Sequence, residues 1–304
     1  PPRSTLFPYT TLFRSLIPFL LINLMSQDFS QIRDEELITQ RASQDRYASY
    51  SPDGQRILFE SDRSGNWDIF IMELYNKNII QLTTEENDQR RPSWHPNGDR
   101  VLFESILDDE TRLLELDLSS KESKAIDLSK LSGQPVFASY SPDGASIALS
   151  EKFSDNHAEI VVINISGDIV YRYKNGGYRS FYPKWSPSGD ELVFFSRHET
   201  DNANDEIYIL DLDGHSVKRL TNRPYHNFCP AWSPDGSKIA FVTSMPDRRP
   251  EIYVMNSDGS NQLRITHNED GDTLPSWSVD GKKLLITGYR KGNFEIVQLS
   301  LEAG

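Results

Sequence analysis

The chain has 304 residues, of which 25% are charged and 37% hydrophobic, and its formal net charge is −13. That balance describes a globular chain rather than a disordered or membrane-embedded one. The acidity excludes a phosphate-backbone partner, which needs a cationic stripe, and suits a cationic partner or simply a solvated surface. Cys229 is the only cysteine, which excludes an internal disulfide.

In chain order, residues 1–15 come first. Thr5 to Ser15 (TLFPYTTLFRS) reads as the translation of a sequencing-library adapter, an artefact outside any fold argument. Leu16 to Met25 is a ten-residue apolar run, too short to span a bilayer as a helix. It has the character of a truncated secretory signal segment with Ser26 near the cleavage point, so residues 16–30 are expected to be leader and linker.

From residue 31 onward one phrase recurs six times: SYSPDGQRILF, SWHPNGDRVLF, SYSPDGASIAL, KWSPSGDELVF, AWSPDGSKIAF and SWSVDGKKLLI. Its markers Ser51, His95, Ser141, Ser186, Ser233 and Ser278 are 44, 46, 45, 47 and 45 residues apart. Such a period holds four short strands and their turns. In the fifth copy the strands are expected at 230–233, 238–243, 251–256 and 262–266. Pro234-Asp235-Gly236 and Asp258-Gly259 form the turns between them. The sixth copy stops after its third strand, 294–300, and Glu36 to Gln40 resembles a fourth. The expected fold is therefore all-β: a six-bladed propeller over residues 31–304, four antiparallel strands per blade, with the last blade closed by an N-terminal strand.

The W-S-P-D-G-x-x-I-x-F phrase, followed by E-I-Y and then L-T, resembles the WD40-like (PD40) repeat of the TolB family. The resemblance implies six blades and a periplasmic interaction protein of the cell envelope, expected to be a monomer without stable membrane insertion. Related repeats accompany prolyl-oligopeptidase-type peptidases, but no G-x-S-x-G nucleophile elbow occurs in this sequence.

The Trp/Tyr column (Tyr50, Trp94, Tyr140, Trp185, Trp232, Trp277) reads as inter-blade packing, and Asp53, Asp143 and Asp235 read as turn residues. Function is expected on the face carrying the longer loops, between second and third strands and between blades. Arg46, Tyr47, Arg90, Arg91, Phe181, Tyr182 and Phe228 enter first strands there, and arginine and aromatic residues are favoured at binding hot spots. Two residues before each marker the chain carries Ser49, Ser93, Ser139, Lys184, Ala231 and Ser276. Lys184 is the exception, a candidate cation near the axis or a stem packed on apolar surface. His157, His198, His226 and His267 fall in long-face loops without the tight spacing of a metal motif, and Asn268 to Asp272 lacks a full set of cation ligands. The function expected is non-catalytic binding of a protein or peptide, with no cofactor and no metal. The alternative is a propeller enzyme acting on polysaccharide, a metal-dependent lyase at the central mouth.

Overall fold

A computed structural model describes residues 29–40, 42–198, 204–222, 224–244 and 249–303. The adapter-like segment and the apolar run at 16–25 lie outside these residues. Among the described residues are twenty-four strands in six four-stranded antiparallel sheets and no helix long and apolar enough to cross a membrane.

Blade five shows how the sequence builds a sheet. Its strands are His226–Trp232, Lys238–Ser244, Glu251–Asn256 and Leu263–Arg264, adjacent in that order. The first turn is held by its serine. The Ser233 hydroxyl donates to Asp235 Oδ1 (2.6 Å) and accepts the Lys238 N–H (2.9 Å), while Gly236 takes φ 73°. Ser51, Ser141 and Ser278 make the same pair of bonds. The recurring S-P-D-G is thus a hairpin clasp, because serine and aspartate satisfy backbone donors that the tight turn leaves open.

The fourth strand ends before the recurrent L-T. In blade five the Thr266 hydroxyl accepts the Ile252 N–H (2.9 Å) and donates to buried Glu251 (2.5 Å). Thr83 with Asp68, Thr221 with Glu206, and Thr39 with Glu295 repeat this arrangement in blades one, four and six. One hydroxyl thereby satisfies a backbone donor and a buried carboxylate together, worth about 1 kcal/mol per hydrogen bond.

The same device explains the closure. The strand Phe29–Leu37 pairs antiparallel with Asn293–Ala303, in register Leu37 opposite Val297 and Asp34 opposite Ser300. The ring is closed by the N-terminal strand as expected, but that strand lies earlier than Glu36 to Gln40. Thr39 is held back as the clasp on Glu295, so pairing can begin only upstream of it. Trp94, Trp185 and Trp277 fasten neighbouring blades, donating from Nε1 to the carbonyls of Ser49, Ser139 and Ala231. Trp94, Tyr140 and Trp277 of the aromatic column are buried, while Tyr50, Trp185 and Trp232 are half-buried and, with the others, border the axial channel.

Candidate functional site: the two ends of the axial channel

Every first strand carries a bulge four residues before its marker. Tyr47, Arg91, Phe137, Tyr182, Cys229 and Leu274 all have positive φ, between 50° and 63°. At each the pairing with the second strand gains one residue, as between Phe228/Val242 and Ala231/Ala240. A left-handed backbone costs an L-residue roughly 1–2 kcal/mol, so six copies require a structural return. The bulge re-aims one side chain per blade. Arg91 lies over the Phe137 ring (4.6 Å), and Phe137 meets Tyr182 (5.4 Å between centroids). Tyr47, Phe137 and Leu274 pack on the cluster holding Tyr182 and Cys229. These six side chains form a diaphragm across the axis. Burial pushes the phenols of Tyr47 and Tyr182 up, and the Cys229 thiol up to about 12.

On the long-loop side of the diaphragm, blades one and two carry buried carboxylates. Glu60 accepts from Arg90 Nη2 (3.0 Å) and Nε (3.2 Å), and from the Arg91 backbone N–H (2.7 Å). Glu104 accepts the Phe137 N–H (2.6 Å) and pairs with the Arg91 guanidinium. Glu60 and Glu104 are 0% and 1% exposed, so these are charge-assisted bonds in a dry setting. Above them the Trp67 ring is sandwiched by Arg46 (5.1 Å) and Arg90 (4.2 Å), and Arg46 also covers Phe294 (4.0 Å). Desolvation, with Arg90 nearby, lowers the pKa of Arg46.

The structure therefore divides the residues singled out from sequence. Arg46 and Arg90 meet on Trp67, while Tyr47, Arg91 and Tyr182 belong to the diaphragm. Phe181 is buried against Phe137 and Phe195, and Phe228 is half-buried beside Phe195. Arg90 and Arg91 do not offer free forks to a ligand carboxylate, because Glu60 and Glu104 already occupy them. Trp67, Phe294 and the two glutamates escape sequence reasoning. The signal available was a glutamate in the middle of two otherwise apolar second strands, RILFES and RVLFES.

Lys184 lies on the other side. A cavity of about 400 Å³ runs along the axis between the tight turns, lined by Pro52, Pro96, Pro142, Pro187, Pro234 and Val279 at its rim. Tyr47, Tyr182 and Leu274 border its inner end. Its wall carries the column Ser49, Ser93, Ser139, Lys184, Ala231 and Ser276. The Lys184 ammonium sits 4.7 Å from the Tyr182 ring centroid, and no carboxylate pairs with it among the described residues. Burial lowers its pKa to about 8.

The histidines stay apart. His157 stacks on Phe153 (4.7 Å), His198 sits edge-on to Tyr178 (5.8 Å), His226 lies 3.1 Å from Asp205, and His267 contacts the Ile265 carbonyl. Among the described residues no three His, Cys, Asp or Glu side chains converge as a metal set. Leu107 and Phe153, at the long-face ends of second strands in blades two and three, and Tyr178, in the loop entering blade four, are 60%, 42% and 48% exposed.

No curated protein sequence matches the chain. Among solved structures it is similar to TolB from Acinetobacter baumannii (20% identity, TM-score 0.62), with 86% of this chain covering 64% of that one. It is also similar to a protein assigned as TolB from Agrobacterium tumefaciens (21%, TM-score 0.69; 87% and 93% covered). A third similar structure is an oligogalacturonate lyase in complex with manganese (17%, TM-score 0.62; 90% and 96% covered). At these identities the likeness shows the fold alone, and the chain spans under two thirds of the Acinetobacter protein. Residues 21–139 and 136–304 each match the TolB beta propeller domain, PD40. With the S-P-D-G clasps and L-T hydroxyls in place, the chain belongs to the TolB β-propeller family.

Proposed function

We propose that this propeller is a non-catalytic binding module that holds a protein or peptide on its long-loop face, outside the cytoplasm. The observation that carries this reading is the set of exposed Leu107, Phe153 and Tyr178 on the long-loop face of an acidic molecule, Phe153 stacked on His157 and Tyr178 edge-on to His198. Large apolar side chains grouped on one face mark interaction surfaces. Their aromatic members can bury wide areas at low entropic cost. Arg46, Arg90 and Phe228 extend the surface, contributing stacked guanidinium and ring faces. Tyr47, Arg91, Phe181 and Tyr182 support it from beneath. The TolB relatives work in the periplasm, which supports the location. Between the six blades the long loops differ in length and sequence while four of the six turns keep the same Ser–Asp clasp, which suits partner selection on a fixed scaffold.

The test is capture from envelope extract of the native host, followed by calorimetry with the protein identified. Phe153→Ser with Tyr178→Ser should weaken binding more than tenfold without moving the melting temperature. Asp213→Asn with Asp258→Asn, in turns on the opposite face, should leave it unchanged. Loss of binding in the turn variant alone would overturn the assignment. Cleavage of oligogalacturonides by purified protein carrying about one equivalent of bound metal would replace it with the lyase reading.

A further inference from the structure

The axial cavity on the tight-turn side plays no part in the reading above, and its construction is unlike that of the opposite mouth. It is closed at its inner end by the diaphragm, so the rim of Ser-Pro turns is its entrance. Four of the six positions in its middle layer are serines and one is alanine, small residues that leave the axis open. The sixth is a lysine.

A lysine on the wall of this cavity is costly to retain as a space filler, because desolvation opposes its charge. The groups that face it do not relieve that cost. Tyr182 presents its ring, and burial holds the Cys229 thiol and the Tyr47 phenol in their neutral forms. Glu104 lies beyond the diaphragm, bound to Arg91 and to the Phe137 N–H. At the same blade junction a second donor is also unmet. Trp94, Trp185 and Trp277 each donate to the carbonyl of the preceding blade's middle-layer residue, but the Trp232 Nε1–H, whose counterpart would be Lys184, is buried without an acceptor. The spot is rich in donors and poor in acceptors.

We propose that this cavity is a ligand pocket for an organic carboxylate, with Lys184 as its counter-ion and the hydroxyls of Ser49, Ser93 and Ser276 as further donors. The aromatic walls, Tyr50, Trp185 and Trp277 among them, cover an apolar body behind the carboxylate. A volume of about 400 Å³ falls in the range of small-molecule sites and admits a short-chain acid or the last residues of a peptide. Both present the same group, one carboxylate on an apolar stem. A polyanion is poorly matched, since a single ammonium serves the whole cavity.

Reductive methylation with ¹³C-formaldehyde gives each lysine an NMR signal, and Lys184→Arg identifies the one that belongs here. That signal should titrate near pH 8 in free protein. Hexanoate, or a hexapeptide with an apolar, free C-terminus, should raise its midpoint by about one unit, corresponding to a tenfold preference for the ammonium form. The C-terminally amidated hexapeptide should not. A response to hexanoate alone identifies a small acid as the occupant, and a response to the free peptide alone identifies a chain terminus. Lys184→Gln, which keeps part of the stem and a donor, should bind the effective probe at least tenfold more weakly while melting no lower than the wild type. An unmoved midpoint with all three probes, or an equal shift with the amidated peptide, would overturn the proposal.

Discussion

Arg91 and Lys184 are both cations near the propeller axis, one in the diaphragm and one just past it, yet their surroundings act in opposite directions. Burial lowers both pKa values at first. Glu104 then more than compensates for Arg91, which ends above its ordinary value, while Lys184 drops to about 8. The cause is a single position in the second strand, nine residues after each marker. Blades one and two place Glu60 and Glu104 there. The other four blades place Ser150, Phe195, Val242 and Thr287. A repeat scaffold can thus set the charge state at its axis blade by blade, leaving the clasps and strand pairings alone. On the long-loop side Arg90 and Arg91 are matched by Glu60 and Glu104, whereas the Lys184 ammonium past the diaphragm has no carboxylate partner among the described residues.

The strongest way to break this contrast is to remove the compensation. Glu104→Leu strips Arg91 of its partner and leaves the Phe137 N–H without an acceptor. The cost should be ~3–5 kcal/mol, as for other buried pairs from which one ion is removed. Glu104→Gln should cost distinctly less, because its amide oxygen can still accept the Phe137 N–H. Denaturant unfolding of both variants reads the difference. Equal losses would mean that the carboxylate's charge on Arg91, which both variants remove, and not the bond to the Phe137 N–H, holds this part of the diaphragm.

The complementary experiment removes the unmatched charge. The folded pKa of Lys184, about 8, lies below the 10.5 of an unperturbed lysine. Between those values the unfolded chain binds a proton that the folded chain has released, so wild-type stability should rise with pH from about 8 to about 10.5. Below pH 8 the penalty is fully present and constant. Lys184→Met removes it and keeps the volume, and should raise stability at pH 7 by ~2 kcal/mol. The advantage should shrink as pH climbs toward 10. A constant difference across that window would show that the amine is well solvated in the folded protein.

How much of this was legible in the sequence follows from the physics of each feature. The blades were legible because S-P-D-G and L-T are local devices, in which a serine, an aspartate or a threonine satisfies backbone groups within a few residues or on the adjoining strand. Blade closure was legible from the missing fourth strand, although its position was not, since Thr39 serves as a clasp rather than as a ladder residue. The bulge was not legible. Positive φ usually announces itself as glycine or asparagine, and here it falls on Tyr, Arg, Phe, Tyr, Cys and Leu. The carboxylate partners of Arg90 and Arg91 were hidden for a related reason. Glu60 lies on the second strand of the preceding blade, 30 residues from Arg90, and Glu104 on the second strand of the same blade, 13 residues from Arg91, and only the packing of the blades and their pairing register bring them together. Lys184 stood out because a repeat makes any departure visible.

The smallest expected effect concerns Arg46, a long-face cation with no direct carboxylate bond among the described residues. Its charge is met by ring faces, Phe294 on one side and Trp67 on the other, and its Nε is buried with no acceptor. Cation–π contacts of this kind contribute ~0.5–2 kcal/mol, with tryptophan the strongest ring. Trp67→Phe keeps a ring between Arg46 and Arg90 and should cost under about 1 kcal/mol. Trp67→Leu removes the quadrupole, leaves two guanidinium groups facing each other across an aliphatic side chain, and should cost about 1 kcal/mol more. The backbone bonds of residue 67, its N–H to Asp88 and its carbonyl from the Gln89 N–H, are unaffected by either change. The two variants therefore differ in the ring alone. If they melt together, the stack is packing, and Arg46 is held by Glu60 through the field rather than by the rings. In that case the contrast between the two sides of the diaphragm reduces to the presence or absence of second-strand carboxylates.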